Sequence, residues 1–165
     1  MQAAFQFMGI LIDTFDRKFA DLHSRSTRIL SIAADEVLYR RPRELPQTFA
    51  MFTVGEYLLR SAASVEQTFG GITTRLWDDP FEWTLPEKLN STKLIAEYLE
   101  EVEQTRKNGM AFLSSDDELG KQMPAPIEIK SLFEILMDTL IRAEHYNGRA
   151  VAVLQYFSDE KLPRL

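Results

Sequence analysis

The sequence predicts an all-α fold, a four-helix bundle formed by a single domain that spans residues 1–165. Four long segments carry apolar residues at alternating spacings of three and four, the period of an amphipathic helix. Two of them open with Thr or Ser followed three residues later by Glu, the pattern of a capping box. No segment shows the strict alternation of a half-buried strand, so no strand is predicted.

The first helix is predicted from a stripe of apolar and small residues near the N-terminus. Its members are Met8, Ile12, Phe15, Phe19, Leu22, Ser26, Ile29 and Ala33. The helix should end between Val37 and Pro46, because Pro42 and Pro46 lack a backbone donor and disfavour helical geometry in the preceding residue. The apolar patch Phe5 to Ile12 is short and is followed by charged residues, which argues against a signal peptide or a membrane span.

The second helix is predicted to begin with a capping box formed by Thr53 and Glu56. Its apolar stripe continues to Leu76, and the pair Gly70-Gly71 inside it predicts a bend or a loosening of the helix. The segment from Trp77 to Asn90 then breaks every periodicity and is predicted as the longest irregular connection. Its aromatic residues Trp77, Phe81 and Trp83 either line a binding mouth or anchor the connection to the bundle.

The third helix is predicted to begin at Ser91 or Thr92, either of which can cap it. Its buried stripe is predicted to pass through Ile95, Tyr98, Val102, Thr105, Gly109 and Phe112. The charged residues Glu97, Glu100, Glu101, Glu103, Arg106 and Lys107 are predicted to form its solvated face. The fourth helix follows an interruption between Ser114 and Ile129, opens with the box Ser131 and Glu134, and should extend to about Phe157.

Composition limits the classes of function. The chain has no cysteine, which excludes disulfides and thiolate metal sites and favours a cytoplasmic location. A formal net charge of -6 argues against binding to nucleic acid or to an anionic membrane. The local basic group Arg40, Arg41 and Arg43 is small and is interpreted as a solvated loop.

Two short stretches resemble the DinB/YfiT-like superfamily of four-helix bundles. Residues 53–60 read Thr-Val-Gly-Glu-Tyr-Leu-Leu-Arg, where the family often has Ser-Val-x-Glu-x-x-x-His. Residues 142–149 read Arg-Ala-Glu-His-Tyr-Asn-Gly-Arg, where the common pattern is His-Glu-x-His-His-x-Gly-Gln. The resemblance implies an up-down-down-up arrangement with a long crossover between the second and third helices. It also implies that Arg60, Arg142 and Tyr146 occupy the positions of the family's three metal-binding histidines.

These substitutions change the chemistry expected of the site. A guanidinium has five donors, no acceptor and a permanent charge, so Arg60 and Arg142 would repel a cation. We therefore expect no metal, no cofactor and no catalytic residue, and metal-dependent transferase or hydrolase activity is not expected. The candidates for ligand binding are Arg60, Arg142, Tyr146 and His145, which together would suit a carboxylate or a phosphate.

The sequence also supports a structural interpretation of the same residues. Glu56 precedes Arg60 by four residues and Asp138 precedes Arg142 by four, the favourable order for ion pairs on one helix. Both arginines could then be neutralised by their own helices. His145, like His23, could equally be a hydrogen-bonded structural histidine, since two histidines fall short of a catalytic zinc site.

Three functional hypotheses remain open at this stage. The first is a noncatalytic DinB-like protein with a pocket for a small anion or acidic ligand at the altered metal site. The second is a metal-free or divergent transferase or hydrolase of the same superfamily. The third is an interaction protein that forms a homodimer through an exposed helix face, which exposure of Ile135, Val151 and Val153 would support.

Overall fold

The computed structural model describes residues 9–42 and 52–163. Five α-helices are present in these ranges: α1 Ile10–Ile32, α2 Asp35–Leu38, α3 Val54–Thr74, α4 Thr92–Met110 and α5 Leu132–Leu154. Two short 3-10 turns cover Pro80–Glu82 and Asp116–Gly120, and two strands cover β1 Gln122–Pro124 and β2 Ile129–Ser131. The predictions for Phe5 to Met8, Arg43 and Pro46 lie outside the described residues. None of the described helices is long and apolar enough to cross a membrane.

The first and last long helices run in the same direction. Near their starts, the rings of Phe15 and Phe133 meet edge to face with centroids 5.6 Å apart. Further along both helices, Asn147 Nδ2 donates a hydrogen bond of 2.6 Å to Ser26 Oγ. Later residues of α1 contact later residues of α5, so these two helices are parallel.

The third helix runs against the last one. Ser61 Oγ donates to the carbonyl oxygen of Ala143 at 2.9 Å, and the hydroxyls of Thr68 and Thr139 lie 2.7 Å apart. Later residues of α3 therefore contact earlier residues of α5, which makes this pair antiparallel.

The fourth helix runs against the first. His23 Nε2 lies 3.2 Å from Glu100 Oε1, whereas Asp16, earlier in α1, pairs with Arg106, later in α4. The four long helices α1, α3, α4 and α5 thus run up, down, down and up. The predicted fold class is confirmed, and the connection between α3 and α4 must return along the bundle because those two helices are parallel.

The helix starts follow the local capping chemistry that the sequence predicts. Thr53 N donates to Glu56 Oε2 at 2.8 Å, and Glu56 N donates to Thr53 Oγ1 at 3.4 Å. Ser131 and Glu134 form the same reciprocal box at the start of α5. Ser91, rather than Thr92, caps α4. Each pair satisfies amide donors that a helix start leaves without an intrahelical acceptor.

Helix α3 continues without interruption through Gly70 and Gly71, so the loosening expected there does not appear as a break. Gly71 instead permits close packing: a Cβ atom at that position would lie 2.4 Å from the indole of Trp77. No such contact exists at Gly70, where the nearest atom would be 3.9 Å away. The packing of Trp77 therefore requires glycine at position 71 but not at position 70.

Four predictions of secondary structure are wrong. Helix α1 ends at Ile32, before the predicted range of Val37 to Pro46. Strands β1 and β2 form an antiparallel hairpin with Met123 opposite Lys130, although no strand is predicted. Each strand has three residues, too few to show a period of two. Helix α5 ends at Leu154 rather than near Phe157, and Phe112 of the predicted stripe lies beyond α4 with 67% of its surface exposed.

The charged face predicted for α4 also requires correction. Glu103 and Arg106 are buried, with 6% and 2% of their surfaces exposed. Arg106 donates to both carboxylate oxygens of Glu103, at 2.7 Å from Nε and 2.8 Å from Nη2, and it also pairs with Asp16 of α1. The two residues are buried because each charge is neutralised and hydrogen-bonded inside the contact between α1 and α4.

Candidate functional site

A cleft of about 210 Å³ lies between α3, α5 and the connection from α3 to α4. The residues that line it come from three parts of the chain: Glu56, Leu59, Arg60, Ala63, Ser64 and Gln67 from α3, Arg142 and Tyr146 from α5, and Asp79, Pro80, Phe81, Thr84, Leu85 and Pro86 from the connection. We call residues 75–91 the crossover. Two walls of the cleft are therefore regular helices, and the third is an irregular segment.

The crossover is anchored to the helices beside the cleft. Trp83 Nε1 donates to Glu66 Oε2 at 3.2 Å, and the hydroxyl of Tyr98 on α4 donates to the same oxygen at 2.5 Å. Burial and the neighbouring Glu66 carboxylate raise the pKa of Tyr98, so that its hydroxyl stays protonated as a donor. Tyr39 also donates to the carbonyl oxygen of Leu89. The bond from Trp83 holds the crossover beside Glu66 of α3, and the bond from Tyr39 fixes its later part at Leu89.

Arg60 points from α3 into the cleft and is partly buried. Its guanidinium carbon lies 3.8 Å from the centroid of the Phe52 ring, a cation–π contact. The ion pair with Glu56 that the spacing allows is not formed, because the Glu56 carboxylate accepts from the backbone and hydroxyl of Thr53 at 2.8 and 2.9 Å. Among the described residues, Arg60 has no carboxylate partner.

Arg142 lines the same cleft from α5 and is exposed. The neutralising pair with Asp138 is also not formed, since Asp138 Oδ2 accepts from Lys130 Nζ at 2.8 Å. Arg142 makes no ion pair within residues 9–42 and 52–163. The structural interpretation of the two arginines therefore fails at both predicted pairs.

Tyr146 follows Arg142 by one helical turn and also faces the cleft. Its ring is partly buried, with its centroid 6.3 Å from that of Tyr57. His145 does not line the cleft; its Nε2 accepts from Arg149 Nε at 2.8 Å. The structure thus brings Arg60, Arg142 and Tyr146 together and leaves the fourth predicted candidate on another face of α5.

The sequence interpretation missed the contribution of the crossover to the cleft. Asp79, Phe81 and Leu85 line the outer wall, and only Phe81 was considered for such a position. Of the two roles proposed for its aromatic residues, Phe81 has the first, whereas Trp77 and Trp83 act as anchors. The available signal was the polar residue before Pro80: Asp79 caps the short turn by accepting from Phe81 N at 3.1 Å.

One solved structure resembles the chain over almost its whole length. It is a crystal structure of a DinB-like protein from Bacillus cereus ATCC 10987, with a TM-score of 0.69 and 15% sequence identity. The similarity covers 93% of this chain and 96% of the other. The fold is DinB-like. No family model matches the sequence, and no curated protein matches it.

The side chains that Arg60, Arg142 and Tyr146 bring into the cleft do not suit a metal ion. Arg60 and Arg142 offer only hydrogen-bond donors and positive charge, which do not coordinate a cation. Among the described residues, no three His, Cys, Asp or Glu side chains gather in a group that could hold a metal. The donor groups of the cleft are instead those that bind carboxylates and phosphates.

Proposed function

We propose that this DinB-like protein is a noncatalytic binding protein whose cleft holds a small acidic molecule. Arg60 and Arg142 would bind its carboxylate or phosphate, and the hydroxyl of Tyr146 would add a hydrogen bond. One observation carries the proposal: two guanidinium groups from different helices line one cleft without a carboxylate partner among the described residues.

The electrostatics of the cleft support this proposal. An arginine on a protein surface is commonly neutralised by a neighbouring carboxylate, and suitable carboxylates stand four residues before each arginine here. Both carboxylates are engaged elsewhere, Glu56 by Thr53 and Asp138 by Lys130. Charge-assisted hydrogen bonds to an arginine fork are stronger than neutral ones, so an acidic ligand would gain most from these two groups.

The other two hypotheses have less support. The hydroxyls of Ser64 and Thr84 in the cleft donate to the backbone carbonyl oxygens of Arg60 and Pro80 and not to a base, so we name no catalytic residue. The residues that would have favoured a dimer surface if exposed, Ile135, Val151 and Val153, are buried within the chain at 4%, 7% and 2% exposure. A homodimer and a cytoplasmic location stay predictions.

Calorimetric titration with benzoate and with inorganic phosphate tests the proposal. We expect saturable binding of at least one of them, weakened about tenfold or more by Arg60→Gln or Arg142→Gln, because each replacement removes a charged hydrogen-bond donor. Arg28→Gln is the matched control, since Arg28 is exposed on α1 and lies outside the cleft. Equal affinities for the wild type and the two cleft variants would refute the proposal.

A further inference from the structure

The cleft contains negative as well as positive groups. Glu56 lines it from α3 and Asp79 lines it from the crossover, in addition to Arg60 and Arg142. In the described part of the chain, none of these four side chains forms an ion pair. Two charges of each sign therefore share one small space without neutralising one another.

Separate local contacts keep these opposite charges apart. Glu56 is fixed by its capping box with Thr53, where Oε2 accepts both hydrogen bonds. Asp79 is fixed by the short turn that it caps through Oδ1. Arg60 is fixed by the ring of Phe52, 3.8 Å from its guanidinium carbon. Three of the four charged groups are thus held by separate local contacts, so a ligand can meet both signs.

One of the two carboxylates also lies on a different wall from the arginines. Arg60 and Arg142 belong to the helices, whereas Asp79 belongs to the crossover that closes the cleft from outside. A purely anionic ligand would gain from the arginines but would be repelled by the carboxylates beside them. A ligand that carries one charge of each sign can be attracted by both walls, which is the complementarity that favours one partner over others.

We propose that the ligand of this cleft is zwitterionic, with a carboxylate held by Arg60 and Arg142 and an ammonium group held by Asp79, as in an α-amino acid. This inference rests on the proposed function and narrows its ligand class. Leu59, Pro80 and Leu85 also line the cleft and provide apolar surface for the rest of the molecule.

Three compounds with the same phenyl ring test the inference by calorimetric titration: L-phenylalanine, 3-phenylpropionate and 2-phenylethylamine. The first carries both charges, the second only the carboxylate and the third only the ammonium. We expect phenylalanine to bind about tenfold more tightly than either of the others, because it alone can pair with both walls.

Variants of Asp79 separate the inference from the proposed function. Asp79→Asn should reduce the affinity for phenylalanine to about that for 3-phenylpropionate and should not weaken binding of 3-phenylpropionate. Asp117→Asn is the matched control, because Asp117 is exposed and outside the cleft. Asn at position 79 keeps an oxygen that can accept from Phe81 N and so preserves the cap of the short turn. Glu56 is unsuitable for this test because its carboxylate accepts both the backbone and the hydroxyl bond of the box that caps α3.

The outcomes distinguish the two claims. If 3-phenylpropionate binds as tightly as phenylalanine and Asp79→Asn changes neither, the zwitterionic ligand is refuted while acid binding stands. If no compound binds, and benzoate and phosphate also fail to bind, both claims are refuted. Preferential binding of phenylalanine that Asp79→Asn abolishes and Asp117→Asn preserves would support both.

Discussion

The buried pair formed by Glu103 and Arg106 gives the sharpest prediction about stability. Replacing Glu103 with Gln keeps the size of the side chain but removes its charge. It also turns one of the two oxygens that accept from Arg106, at 2.7 and 2.8 Å, into a nitrogen donor. Arg106 is only 2% exposed, so the lost interactions cannot be replaced by bulk water.

The size of the effect follows from what remains around Arg106. Removing one partner of a buried ion pair typically costs about 3–5 kcal/mol. In the variant, Asp16 still pairs with Arg106, and the side chain of Asp16 is 42% exposed. Because Arg106 keeps this partner, we expect a loss near the lower limit, about 3 kcal/mol. For a chain of 165 residues this corresponds to a fall of about 6–12 °C in the melting temperature.

Denaturant unfolding and thermal melting, followed by circular dichroism, would measure this loss. Glu101→Gln is the matched control because it removes the same charge from an exposed position on the same helix. It should change the free energy of unfolding by less than about 0.5 kcal/mol. A loss for Glu103→Gln no larger than that for Glu101→Gln would refute the reasoning.

The same pair predicts a dependence on pH. Burial alone would raise the pKa of Glu103, but the hydrogen bonds and charge of Arg106 outweigh it and hold the pKa below the usual value of 4.5. A carboxylate with a lowered folded-state pKa stabilises the protein fully above the unfolded-state pKa, and this stabilisation is lost as the pH falls through the folded-state value. The stability difference between wild type and Glu103→Gln should therefore narrow below about pH 4.5 and stay constant from there to neutral pH.

Three further predictions concern the helix glycines and the cleft. Gly71→Ala should destabilise the protein by about 1–3 kcal/mol, because the added Cβ would overlap the indole ring of Trp77. Gly70→Ala should instead stabilise it by about 0.5–1 kcal/mol. Equal effects of the two variants on the free energy of unfolding in denaturant would contradict the prediction. The triple variant Arg60→His, Arg142→His and Tyr146→His should bind Zn²⁺ stoichiometrically in calorimetry. Absence of binding would contradict the prediction that these three positions share one site. Zn²⁺ or Ni²⁺ should leave the melting temperature of the wild type unchanged, whereas a stoichiometric rise would contradict the expected loss of metal binding.

Much of the helical framework could be predicted because its signals are local. The starts of α3 and α5 depend on pairs three residues apart, Thr53 with Glu56 and Ser131 with Glu134, and both were located correctly. Glu103 and Arg106 depart from the predicted solvated face because Arg106 also pairs with Asp16 of α1, a contact between residues that are distant in sequence. Charge alone indicates solvent exposure unless the partner on another helix is known.

The candidate site was predictable in part for a similar reason. Arg60, Arg142 and Tyr146 were found through helical motifs, and all three line one cleft, although ligand binding there stays a prediction. His145 matches a histidine of the family's pattern, yet it lies one residue from Tyr146 along the helix, a rotation of about 100° that directs its side chain to another face. Asp79 was missed because the crossover has no periodicity from which its position could be derived.

The parallel arrangement of α1 and α5 has a consequence for how the chain acquires its structure during synthesis. The hydrogen bond between Asn147 and Ser26 joins positions 121 apart in the sequence. The ring contact of Phe15 likewise cannot form until Phe133 has been made. A growing chain therefore completes α1, α3 and α4 before the helix that packs against α1 and α3 leaves the ribosome. The apolar surfaces of α1 and α3 that face α5 stay unburied until α5 has been made, so chains truncated before α5 should aggregate rather than fold.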